Sequence, residues 1–163
     1  MTSTTHHETT LAAPEGQPTI EITREFDAPP DRVYRAHTDP ELVKQWLGPR
    51  RLKARIEKYD IVRGGSYRYR HIDTDGTVYG FWGVVHDARP PELIIQTFGF
   101  DGSPDTPTFD KMTLEELPGG RTRMKVVSVV HDVATRDAFL SSGMEGGMNE
   151  SYERLDELLE AQQ

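Results

Sequence analysis

The sequence predicts an α+β fold, an antiparallel sheet covered by a single long C-terminal helix, and three observations carry that expectation. From Ser142 to Gln163, apolar residues fall at Met144, Met148, Tyr152, Leu155, Leu158 and Leu159, the spacing of one helix face. Glu145, Asn149, Glu150, Glu153, Arg154, Asp156, Glu157 and Glu160 occupy the other faces. Between residues 19 and 131, all but one early segment alternates apolar with polar residues, or runs apolar, at strand length. The connections between those segments are short and rich in turn residues, which suits antiparallel neighbours and leaves no room for the helices a parallel sheet needs.

Thr19 to Asp27 opens the fold as a half-buried strand, with Ile20, Ile22 and Phe26 on one face and Glu21, Thr23 and Glu25 on the other. Ala28-Pro29-Pro30 ends it, and Asp31 to His37 reads as a short helix burying Val33, Tyr34 and Ala36. Thr38-Asp39-Pro40-Glu41 restarts a helix with a capping residue, a proline at its first position and an acid in its first turn. That helix presents Leu42, Val43, Trp46 and Leu47 and stops at Gly48-Pro49. Strands follow at Leu52 to Glu57, Ser66 to Ile72, Thr77 to His86 and Leu93 to Phe100, with Asp73-Thr74-Asp75-Gly76 as a hairpin turn. A loop is expected from Asp101 to Pro107, then strands at Thr108 to Leu117 and from Arg121 onward, where Thr122, Met124, Val126, Ser128 and Val130 share one face. Residues 133 to 141 read as a short irregular helix. Ser142 and Glu145 have the spacing of a capping box for the long one. Gly143, Gly146 and Gly147 sit in its first turns, each costing about 1 kcal/mol relative to alanine inside a helix. Those glycines, beside the flexible Met144 and Met148, point to a loosely filled end where helix and sheet part.

Composition bounds the function. The 163 residues make one domain with a substantial core. Cysteine is absent, which excludes disulfides, thiol catalysis and cysteine metal sites and fits a cytoplasmic protein. Residues 1–17 have neither the basic start nor the apolar run of a signal peptide and are expected to be a disordered tail, leaving residues 18–163 as the single domain. No later segment is long and apolar enough to span a membrane. The formal net charge of −8 argues against nucleic acid or an anionic membrane surface as partner. Arg50, Arg51, Lys53 and Arg55 are read as a solvated strand face rather than an anion site.

Several motifs now meet a known pattern. Asp39-Pro40 followed by Trp46-Leu47-Gly48-Pro49, the strand entry Gly64-Gly65-Ser66-Tyr67, and the Gly76 hairpin leading to Gly83 are joined by Pro90-Pro91-Glu92-Leu93. Pro118-Gly119-Gly120-Arg121-Thr122 and Gly147-Met148-Asn149-Glu150-Ser151-Tyr152-Glu153-Arg154-Leu155 complete the series. In this order they resemble the START/Bet v 1-like (SRPBCC) superfamily, in the branch named after the activator of heat-shock protein 90 ATPase, C-terminal-domain type. The resemblance covers about residues 18 to 161. It implies a helix-grip fold, a curved seven-stranded antiparallel sheet wrapped around the C-terminal helix with a cavity between them.

The candidate ligand-binding residues are Trp46, Tyr69, Phe81, Phe98, Met112, Met144, Met148 and Tyr152, an apolar lining of the kind small-molecule sites use. For any single one of them, ordinary core is the commoner role. Parity turns Tyr67 and Tyr69 inward, because the alternate Arg68 and Arg70 belong in water; for Ile95, Thr97, Phe98 and Phe100 it leaves the faces undecided. His71 is read as a surface residue at a strand end. The histidines lack paired ligand spacing, so no metal site is expected. No cofactor motif occurs, and a triad of Ser128, His131 and Asp132 has no nucleophile elbow to support it. The favoured function is non-catalytic binding of a small hydrophobic or aromatic ligand by a monomer or weak homodimer. Two alternatives stay open from the resemblance: a polyketide cyclase/aromatase-like enzyme, for which Tyr69 and His71 are the neighbouring polar pair, and a chaperone-interacting protein.

Overall fold

The structure, a computed structural model, describes residues 7–162. One open antiparallel sheet contains strands β1 (Thr10–Ala12), β2 (Thr19–Phe26), β3 (Lys53–Tyr59), β4 (Ser66–Ile72), β5 (Val78–Arg89), β6 (Leu93–Phe100), β7 (Ser103–Leu117) and β8 (Arg121–Val129) in the order β1-β2-β8-β7-β6-β5-β4-β3. Helices α1 (Pro30–Thr38) and α2 (Pro40–Trp46) carry the chain from β2 across to the far edge at β3. After β8 come α3 (Val133–Ser141) and the long α4 (Met144–Ala161). Register shifts between Ile56 and Lys58, Val85 and Asp87, and Phe98 and Phe100 break the ladder at three places. Such bulges bend strands and raise local twist, which is how a sheet this wide curves around a helix.

Four local features differ from the sequence reading. The sheet has eight strands rather than seven, because the segment expected to be a disordered tail supplies β1 at the edge of β2. Arg136 of α3 anchors the same segment, donating from Nη1 to the carbonyls of Pro14 (2.6 Å) and Gln17 (2.8 Å). Backbone pairing to an open sheet edge and a guanidinium on carbonyls need no apolar side chains, so composition does not reveal them. Residues 1–6 lie outside the described part. The expected loop from Asp101 to Pro107 is instead a tight turn, with Ser103 already opposite Phe100 and Thr108 opposite Phe98. Pro104 and Pro107 fall inside that register shift, where a strand tolerates proline. Finally, the capping box does not form: Gly143, at φ +82°, is the N-cap of α4, and Ser142 Oγ donates backwards to the Phe139 carbonyl at 2.6 Å. Asp39, by contrast, caps α2 as expected, accepting from the Glu41 N–H at 3.0 Å.

Packing divides the concave face into two halves. Towards the C-terminal end of α4, Leu155 and Leu159 join Phe26, Leu114 and Met124 in the core; Phe26, Met124 and Leu155 are 0 % exposed. Arg24 lies in the inward register between Ile22 and Phe26, only 2 % exposed, and grips Asp156 of α4 with two hydrogen bonds of 2.8 and 2.6 Å. Its guanidinium lies 4.9 Å from the Phe26 ring centroid and 5.7 Å from that of Tyr152. Towards the N-terminal end of α4 the packing thins. Met144, Met148 and Tyr152 on the helix, and Phe81, Phe98 and Val126 on the sheet, are all only half-buried.

The helix glycines mark this end for a different reason from the one the sequence suggested. A Cβ on Gly146 would meet nothing within 4 Å, and one on Gly147 would touch only Pro49 Cγ at 3.4 Å, so neither brings the helix backbone close to the sheet. Gly146 is exposed. Replacing Gly146 by Ala is therefore expected to stabilise the protein by up to about 1 kcal/mol, read as a raised urea midpoint at constant slope. Deleting residues 1–17 has the opposite effect. It strands the buried Arg136 guanidinium, at a cost of about 1–3 kcal/mol, and a thermal melt of the truncated chain should show Tm lower by several degrees.

Candidate functional site

The inner face of the sheet can be laid out in rows from its register, since directly opposed residues share a face. One row runs Tyr67, Gly83 and, across β6 and β7, Phe98 and Thr108. The next runs Val85, Gln96, Asp110, Ser128 and Ile20. A third carries Ile94, Met112, Val126 and Ile22. The parity left undecided for β6 is thus settled: Gln96 and Phe98 face inward, and Thr97 faces out, where its hydroxyl accepts from the Val84 N–H at 3.0 Å.

Aromatic rings line the β4–β6 side of this surface. Tyr67 stacks on Tyr69 (6.1 Å between centroids), Tyr69 on Phe81 (5.2 Å), and Phe81 on both Phe98 (5.4 Å) and Phe100 (5.2 Å). Tyr67 lies across Gly83 and donates to the Thr97 carbonyl at 2.5 Å; a Cβ at Gly83 would strike both partners, so glycine is required there. On the helix side, Tyr152 stacks against Trp46 at 6.3 Å and meets Phe26 edge-on at 5.9 Å. Met148 and Met144 follow on the same helix face, one and two turns before Tyr152.

Of the eight sequence candidates, Tyr69, Phe81 and Phe98 form one stacked wall, and Tyr152, Met148 and Met144 stand on the helix that faces the sheet. Met112 is buried in the floor. Trp46 belongs to the packing of α1 on α2: it is 3 % exposed, its Nε1 donates to the Ala36 carbonyl at 2.8 Å, and His37 meets it edge-on.

The concave face also holds polar groups. His71, expected at the surface, is 6 % exposed, with its Nε2 buried and without a hydrogen-bond partner. Its ring lies where a Cβ on Gly48 would fall, at 2.5 Å from Cε1, and Gly48 also needs its φ of +94°. Burial, with the nearby Arg154 charge, pushes the His71 pKa down to about 4, so the ring is neutral. Burial likewise raises Tyr67 and Tyr69, and raises Tyr152 to about 12, so all three phenols keep their protons. The Tyr69 and His71 rings are 5.2 Å apart.

Deeper in the floor, Gln96 Oε1, Thr108 Oγ1 and Asp110 Oδ1 are buried without a hydrogen-bond partner. Burial raises the Asp110 pKa, and the Ser128 and Thr108 hydroxyls offset this only in part. These residues were missed from sequence, although the signal existed: Asp110 and Thr108 stand two and four residues before inward-facing Met112. The paper triad is taken apart, with Ser128 inward, His131 exposed, and Asp132 capping α3 through the Thr135 N–H at 2.7 Å. Among the described residues no group of acidic or histidine side chains is arranged to hold a metal, and no helix is long and apolar enough to cross a membrane. A shallow, open depression of about 350 Å³ lies elsewhere, between α1 and the Pro90–Pro91 turn. Its Tyr34 hydroxyl is already committed to the Leu93 carbonyl at 3.1 Å, so it offers a ligand less than the concave face does.

A curved antiparallel sheet gripping a C-terminal helix defines the helix-grip class. Residues 27–160 match the family described as activator of Hsp90 ATPase homolog 1-like protein, and the chain belongs to that family. Solved structures agree. A protein from Rhodobacter sphaeroides is similar at 28 % identity and a TM-score of 0.87, covering 94 % of this chain and 99 % of its own. One from Arthrobacter aurescens shares 27 % identity at 0.84, covering 93 % and 91 %. A third, from Mycobacterium smegmatis, shares 25 % at 0.83, covering 93 % and 97 %. No protein of curated function matches the chain.

The buried His71 makes a pH prediction. Its folded pKa lies below the ordinary 6.5, so between about pH 6.5 and 4 the unfolded chain binds a proton that the folded one refuses. Stability is therefore lost as pH falls through that window, by about 2–3 kcal/mol from this residue, and levels off below it. Urea unfolding of wild type and His71→Gln at pH 7 and pH 4.5 should show a smaller loss in the variant.

Proposed function

We propose that this protein binds a small, largely apolar ligand in the concavity between the N-terminal half of α4 and the inner face of β4–β8, without carrying out chemistry on it. The observation that supports this most is the unequal filling of one continuous apolar surface. Phe26, Met124 and Leu155 at one end are sealed, while Phe81, Phe98, Val126, Met148 and Tyr152 at the other keep accessible surface although they face inward. Each square ångström of such surface covered by a ligand is worth about 25 cal/mol, so a mainly apolar compound gains useful affinity with few polar contacts. Methionine at the helix side lets the lining adapt to the ligand's shape. The family match supports the same reading at the level of the fold, and ligand identity has to come from the site itself.

The enzyme alternative would need a base. His71, with its pKa pushed down to about 4, is a weak base, and the raised tyrosines keep their protons, which suits a wall more than a proton relay. The family description carries a second reading, contact with a chaperone ATPase, which pull-down from a lysate with the purified chain would test.

The ligand site is tested with N-phenyl-1-naphthylamine, a neutral dye that fluoresces in apolar surroundings. Wild type should bind it, and Met148→Trp should abolish binding with little change in stability, because the indole fills the space. A variant destabilised by about 1–3 kcal/mol, together with a wild type that takes up no dye, would mean that the region is already close-packed and the proposal wrong.

A further inference from the structure

The least expected atoms in the concavity are three oxygens with nothing to bond. Gln96 Oε1 and Asp110 Oδ1 belong to directly opposed residues on β6 and β7, and Thr108 Oγ1 lies two residues from Asp110 on the same face. All three are buried, and among the described residues no cationic side chain pairs with Asp110. The cation on the same face, Arg24, spends both terminal nitrogens on Asp156. A buried acceptor without a donor is costly, and a buried carboxylate without a counter-charge more so. Such groups mark binding sites when they line an accessible concavity. Asp110 itself retains accessible surface.

Building on the reading of this concavity as a ligand site, we infer that its occupant is an apolar ring compound bearing a protonated primary amine, held through that amine by Asp110, Gln96 and Thr108. The match is one of valence. An ammonium group offers three donors and no acceptor; Gln96 Oε1 and an ionised Asp110 Oδ1 can only accept, and Thr108 Oγ1 has lone pairs to offer beside its own proton. A hydroxyl brings one donor together with lone pairs of its own, and a carboxylate brings only acceptors. Charge agrees: hydrogen bonds between an ammonium and a carboxylate are roughly twice as strong as neutral ones. Tyr67 stands on the same inner face one row away, beside Phe98 and Thr108, and aromatic rings are surfaces that attract cations. The chain's net charge of −8 attracts cations from solution. Without the ligand, burial favours the neutral carboxyl of Asp110; the ammonium supplies the counter-charge that restores its ionised form.

The experiment is displacement of N-phenyl-1-naphthylamine at pH 7 by two ligands of matched shape, 1-naphthylmethylamine, which is protonated, and 1-methylnaphthalene, which is not. Wild type should favour the amine by about ten-fold or more, and Asp110→Asn should remove that preference while 1-methylnaphthalene binds within about threefold of wild type. Equal displacement by the two ligands in wild type, or a preference that survives Asp110→Asn, overturns the amine and leaves the ligand site standing. No uptake of the dye by wild type overturns both. Should Asp110→Asn fail to fold, Gln96→Leu removes a second oxygen and must weaken the amine selectively; equal weakening of both ligands counts against the inference.

Discussion

The rest of the molecule depends on one inward-facing ion pair. Arg24 stands on β2 where the alternation calls for an apolar residue, and it grips Asp156 on the third to fourth turn of α4. Arg24 is buried and Asp156 mostly so, and the guanidinium is flanked by the rings of Phe26 and Tyr152. Burying two charges costs several kcal/mol each, so the pair contributes little net stability over a hydrophobic filling. What it supplies is position. A bidentate arginine–carboxylate contact tolerates little rotation or sliding, and it fixes α4 against the sheet in one register. Leu155 and Leu159, on either side of Asp156, are then committed to the closed core. Tyr152, Met148 and Met144, towards the N-terminus of the helix, are committed to the open half.

The middle of α4 is also held from its flank. Ser151 Oγ accepts from the Gly48 N–H at 2.8 Å, and Arg154 donates to the carbonyls of Gly48 (2.8 Å) and Gln45 (2.7 Å) at the end of α2. Arg50 pairs with Glu157 a turn further on. These polar contacts satisfy the backbone of the α2–β3 connection, which would otherwise be stranded beside the helix. They also mean that the helix need not press apolar side chains into the sheet to stay in place. His71 connects this scaffold to the wall of the site: its ring fills the space that a side chain at Gly48 would take, and it stacks beside Tyr69 and Phe81.

Period and turn chemistry made most of the architecture legible in the sequence. Ser66–Ile72 and Leu93–Phe100 came out to the residue, and the inward set Thr122, Met124, Val126 and Ser128 follows from simple alternation. What escaped was whatever does not depend on apolar pattern. β1 is ordered by backbone pairing at an edge. The capping box failed because Gly143 adopts the left-handed conformation that ends one helix and opens the next, so Ser142 closes α3 instead. At the candidate site, the aromatic wall was visible because aromatics on a parity-assigned strand must share a face. The polar floor was not: Arg24 and Asp110 were passed over although they alternate with the inward Ile22 and Phe26 and with Met112, and Gln96 lies on the strand whose parity the sequence left undecided.

Those parity violations carry the functional argument. A sequence that specifies a closed core puts apolar residues at every inward position, and departures without a partner weaken the fold. Arg24 departs and is met at both terminal nitrogens by Asp156, while its Nε stays buried without a partner. Gln96 Oε1, Asp110 Oδ1 and Thr108 Oγ1 depart without a hydrogen-bond partner, on adjacent strands whose inner face also carries half-buried Phe98. Unfilled apolar surface alone can be poor packing, and an isolated unsatisfied oxygen alone can be a hydrated defect. Their coincidence on one inner face is what the proposed occupant, with an apolar body and a donor-bearing end, would satisfy, because a single ligand of that kind removes both costs at once.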